Sequence, residues 1–151
     1  MEVQLFMPLP AEFDDPGDAH WHYTTTRNFF AWVLKRDLVG DTLGVAMAEL
    51  LCCLDGYRSS GVDNLADLVY FLEKQGYWDF YNRPDNALAA LYLSEMFRLR
   101  GIYVDAFSHC VGMAERLHRS PEYRVSGRHI YIYIYIYYAC LLYTSPSPRD
   151  S

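Results

Sequence analysis

From Leu43 to Leu54 the apolar side chains recur at three- and four-residue intervals without a miss: Leu43, Ala46, Met47, Leu50, Leu51 and Leu54. A strand would alternate at every second residue. This interval instead gathers all six on one side of a helix, and that side must be covered by something else. Comparable stripes follow as far as Leu117, so a fold built from these residues has to be helices closing over helices.

The boundaries follow from capping and breaking residues. Thr24, Thr25 or Thr26 caps a first helix running to about Arg36, with Phe29, Phe30, Val33 and Leu34 on one face. Asp41 or Thr42 starts the second and Gly56 stops it. Beyond the Ser59-Ser60-Gly61 loop, Asp63 or Asn64 caps a third, with Leu65, Leu68, Val69 and Leu72 inward and Gly76 in the left-handed position after it. Pro84 suits the first turn of a fourth, with Leu88, Leu91, Tyr92 and Met96 inward and Gly101 as its break. A fifth runs from about Val104 to His118 through Val104, Phe107, Val111, Ala114 and Leu117. The expectation is an all-α fold, about five amphipathic helices in a bundle or helical-hairpin array. Ahead of them, Met1 to Phe13 has two prolines and no helical period, with a short strand expected at Val3 to Met7. Asp14-Asp15-Pro16-Gly17-Asp18 reads as a turn. Residues 1–23 are thus expected as an extended N-terminal segment and turn, and 24–124 as the helical domain, a fragment of a longer protein.

Residues 125–151 read as something other than evolved protein. His129 to Tyr138 is HIYIYIYIYY, which as a polypeptide is an uncharged, strongly β-forming ladder. As DNA it is a TA dinucleotide repeat read in triplets, since TAT encodes Tyr and ATA encodes Ile. Cys140 to Asp150 (CLLYTSPSPRD) matches one reading frame of a transposase-type library adapter. Val125-Ser126 can be written GTG AGT, a splice-donor consensus, so the expected order is intron, repeat and adapter translation. Such a tail is set aside in reasoning about the fold. Six of the 14 tyrosines lie beyond residue 128, and the aromatic content is inflated accordingly.

With 13 basic and 19 acidic residues the chain is mildly acidic, and its charges are interspersed. No basic block argues for nucleic acid or an anionic membrane surface. No apolar run is long enough to span a bilayer, and no signal-peptide pattern is present. Outside the tail stand Cys52, Cys53 and Cys110, an odd number without framework spacing. Buried, reduced thiols in an intracellular, cytoplasmic protein are the expectation.

The sharpest candidate for chemistry is Asp18-Ala19-His20-Trp21-His22-Tyr23. On an extended strand His-x-His puts two imidazoles on one side, a spacing used by metal sites, with Asp18 as third ligand or as an orienting partner. Asp18, His20 and His22 are therefore the candidate ligands for Zn or Fe, against the plainer reading of turn bonds and packing. His109-Cys110 offers a thiol beside an imidazole, but mid-helix neighbours face different ways and a packed thiol is the simpler reading. Tyr77, Trp78, Phe80 and Tyr81, interleaved with Asp79, Asn82 and Arg83, form a candidate interaction surface, or else loop residues plugging one end of the bundle. There is no phosphate loop, nucleophile elbow or His-Glu-x-x-His.

The stretch PAEFDDPGDAHWHYTTTRNFFAWVL (Pro10 to Leu34), with RPDNALAALYLSE (Arg83 to Glu95) and FSHCVGMAERL (Phe107 to Leu117), resembles a family of large, uncharacterised fungal proteins carrying a domain of unknown function. The resemblance implies a fungal intracellular protein of which this chain is an internal piece, and it brings no catalytic residues to carry over. The expected function is a non-enzymatic helical interaction or scaffold module of a larger intracellular protein. Its contacts would be with a protein partner or with other parts of the full-length chain, without nucleic acid or membrane. The alternative is a metal-binding domain or metal-dependent enzyme built on the Asp-x-His-x-His segment.

Overall fold

The computed structural model describes residues 15–125 and Cys140. The short strand expected at Val3 to Met7 and the Tyr/Ile ladder lie outside the described residues. Helix α1 is Pro16–Leu34, α2 Leu43–Tyr57, α3 Asn64–Lys74, α4 Pro84–Phe97, α5 Arg100–Gly112 and α6 Ala114–Leu117, followed by a 3-10 turn at Pro121–Arg124. Among the described residues the fold is all-α, with the helices packed against one another.

Helix α4 is the centre because its middle, from Ala87 to Leu93, carries no polar side chain. Ala87, Leu88, Ala89, Ala90, Leu91, Leu93 and Ser94 are all buried, and a helical stretch apolar on every side must be enclosed. Two clusters form on it. Leu88, Leu91, Ala87 and Ala90 pack with Phe80 from the connection before α4 and with Ala106, Cys110, Met113 and Leu117 from the α5–α6 side. Ala89 and Leu93 pack with Met47, Leu50, Leu51 and Leu54 of α2 and with Leu68, Phe71 and Leu72 of α3. The small residues let α2 come close: a β-carbon on Gly44 would lie 3.3 Å from the Cα of Ala89 and 3.1 Å from the Tyr92 ring.

Helices α1 and α2 run in the same direction rather than as a hairpin. Contacts advance along both together: Thr25 meets Glu49, the Phe29 ring meets that of Tyr57, and Arg58 stacks on Trp32. The connection must therefore travel back beside α1, and its backbone has no sheet partner on the way. Side chains fill that role. Asn28, fully buried, donates to the carbonyl of Val39 and accepts from its N–H, both at 2.8 Å. The Tyr77 hydroxyl accepts from the N–H of Leu38 at 2.8 Å. Thr42 makes no side-chain cap bond at the start of α2. The Glu122 carboxyl, 2% exposed, takes the N–H of Gly44 at 3.0 Å and that of Leu43 from the far end of the described chain. Burying such donors without partners would be costly, and these three residues remove that cost.

The structure corrects several expected boundaries. Pro16 opens α1 instead of a turn. It lacks only an N–H that a first helical turn leaves unpaired anyway, and Asp15 stands before it in extended conformation. Residues 16–23, expected as extended, are helical. Gly56 lies inside α2 and Gly101 inside α5. The break between α4 and α5 is made by Arg98 at φ 56, with the Leu99 N–H reaching back to the Ser94 carbonyl at 2.9 Å. The expected fifth helix is divided at Met113 into α5 and α6. Val33, Leu34, Met96 and Val104, placed on inner faces, are exposed, and so is Cys52.

Candidate functional site

Where α1 and α2 begin side by side, their first turns and the returning loop leave a groove of about 170 Å³. Its walls carry His20, Trp21 and Thr24 from α1, Asp41 and Thr42 from the loop, and Val45, Ala46 and Glu49 from α2. A β-carbon on Gly40, at φ 147, would lie 3.6 Å from the side chains of Thr24 and Ala46, so the loop passes close at this point. Thr25 Oγ1 lies 3.5 Å from Glu49 Oε2, and the Trp21 indole also donates to this carboxyl. Burial pushes Glu49 above the usual carboxylate range, and the two donors pull it partly back. No Lys or Arg lines the groove. The chemistry on offer is two carboxyls, one imidazole, one indole face and threonine hydroxyls.

The His-x-His candidate is corrected by the helix beneath it. Positions two apart on an α-helix point about 200° from each other, so His20 and His22 cannot converge. Asp18 and His22, one turn apart, share the opposite side from His20. His20 enters the groove wall, while His22 makes an edge contact with the Tyr23 ring. Among the described residues no three of His, Cys, Asp and Glu gather as a metal-holding group.

The aromatic quartet divides. Phe80 is 3% exposed within the α4–α5 cluster, and Trp78 packs against both clusters. Tyr77 is half-buried with its hydroxyl on the loop. Only Tyr81, 75% exposed, presents its ring to solvent. As a continuous interaction surface the set is corrected: rings of this size between two helix ends gain more by filling the gap between the clusters. Cys110 is fully buried, which pushes its thiol up to about 12, and the His109 ring lies edge-on to Phe80. A thiol in that environment is inert as a nucleophile.

Sequence reasoning singled out His20 but missed Glu49 and Asn28. The available signal was the spacing of Trp21, Thr25, Asn28 and Trp32, which puts two polar side chains on the inner line of α1. No described helix is long and apolar enough to cross a membrane. No curated protein and no solved structure matches the chain significantly. The family described as Domain of unknown function (DUF8004) matches residues 65–128, from the start of α3 through the turn that carries Glu122.

Proposed function

We propose that this chain is a non-enzymatic helical module acting through protein contacts, either with a separate partner or with other parts of a longer chain. The observation that carries this reading is the exposed apolar side of α1. Its buried residues are the polar Thr25 and Asn28, whereas Tyr23, Val33 and Leu34 face out, Leu34 at 65% exposed. Helical spacing lines Tyr23, Phe30 and Leu34 along one outward stripe. An apolar stripe left outward on a helix whose inner side is already packed, through Thr25, Asn28, Phe29 and Trp32, favours a covering surface. The match to a domain of unknown function is compatible with this role and leaves it open.

Cross-linking in cells with mass-spectrometric readout tests it. Cross-links from α1 to another protein or to a distant segment are expected for the intact chain. They should disappear in the Tyr23→Ser/Leu34→Glu variant while its helical circular dichroism is retained. Cross-links unchanged in that folded variant would refute the reading. So would stoichiometric Zn or Fe bound by the full chain and lost on His20→Ala.

A further inference from the structure

We propose that the groove between the starts of α1 and α2 is a binding subsite for the guanidinium of an arginine side chain presented by a partner. This names a partner chemistry and a second contact point. It rests on the interaction reading only in assigning the arginine to another polypeptide segment.

The argument is one of charge and shape. Glu49, half-buried, and the exposed Asp41 of the loop both line the groove, and neither has an ion pair among the described residues. A carboxyl held partly out of water without a counter-cation is a site that gains from receiving one. Its two local donors, Trp21 and Thr25, are neutral and leave the charge uncompensated. Trp21 is 44% exposed along the same wall, offering an indole face on which a planar cation stacks. Guanidinium suits this pair of features better than ammonium. It is flat, forks to two acceptors and sheds water more readily. The groove, about 170 Å³ and open to solvent, leaves room for such a group to enter. The neighbouring helix start does not compete for an anion, because Glu122 already occupies the N–H groups of Leu43 and Gly44.

The test titrates the full chain with a blocked Gly-Gly-Arg-Gly-Gly peptide and with its citrulline counterpart, which keeps the shape and loses the charge. The readout is the indole signal of Trp21 in a nitrogen-15 correlation spectrum. A saturable shift with the arginine peptide, weakened by salt and absent with citrulline, is expected. Glu49→Gln should weaken binding about tenfold, the scale of one charge-assisted contact. Asp41→Asn, at an exposed position, should weaken it to a smaller degree and serves as the deciding variant if Glu49→Gln fails to fold. An equal response to citrulline, no shift at millimolar arginine peptide, or undiminished binding in the folded variants would overturn the proposal. The Tyr23→Ser/Leu34→Glu variant should bind the peptide normally, so failure at the groove and failure of the α1 stripe are separately visible.

Discussion

Replacing Glu122 by Ala removes the acceptor that closes the start of α2. Glu122 is buried and accepts from Leu43 and Gly44, 79 and 78 residues away. Without it two helix N–H groups lie buried or half-buried with no partner, since the Thr42 side chain makes no cap bond. One unsatisfied buried donor costs about 1–3 kcal/mol. Two such donors, offset by relief from burying a carboxyl, give a net loss of about 2–4 kcal/mol. At roughly 3–6 °C per kcal/mol for a domain of this size, Tm should fall by about 10–20 °C. Circular dichroism at 222 nm on heating, together with urea titration, measures this. The pH dependence is a second readout. Burial holds the Glu122 pKa above 4.5, the Gly44 and Leu43 N–H groups pull it down, and Asp85 pushes it up again. A raised folded-state value means that folding favours the protonated form. This residue's titration therefore contributes stability below the unfolded value, and the contribution fades as pH rises through the folded one. Glu122→Gln should remove that slope. A Glu122→Ala variant melting within about 2 °C of the parent would show that water or a local rearrangement caps α2 equally well.

Asn28→Ala should cost about 2–3 kcal/mol by stranding both backbone groups of Val39, with faster amide exchange confined to the loop before α2. Gly44→Ala should destabilise by about 1–3 kcal/mol, because its new carbon would press on the Ala89 backbone and the Tyr92 ring; an unchanged urea midpoint would refute that close approach. At pH 8 a thiol reagent should label exposed Cys52 in the native protein and reach Cys110 only on denaturation, as expected for a thiol pushed up to about 12.

Which parts of this architecture were legible depends on the range of the interaction that sets them. Asp63 was readable as a cap from its neighbours, and it does accept the Ala66 N–H at 2.9 Å. Pro84 and Gly76 likewise act within a turn of themselves. Pro16 reads as a turn residue in sequence although Pro equally suits a first helical position, which is where α1 places it. Met96 and Val104 satisfied the spacing rule yet face solvent, because α4 and α5 carry apolar residues on several sides and the pattern does not say which is covered. The parallel course of α1 and α2 was hidden for another reason. It is stabilised by Asn28, Tyr77 and Glu122, bonded to backbone 11, 39 and 78 to 79 residues away, and such bonds leave no periodic trace. The groove inherits that difficulty: His20 drew notice for its neighbour His22, whereas the residue facing Trp21 and Thr25 is Glu49.

The clasp on α2 also has a consequence in time. A ribosome delivers Leu43 and Gly44 long before Glu122, so the second helix emerges with its leading amides open to water and is sealed only when the later turn arrives. Synthesis halted short of that turn would leave a nascent chain whose helices are mostly made but whose closure is missing. That interval is when a chaperone would find it easiest to engage.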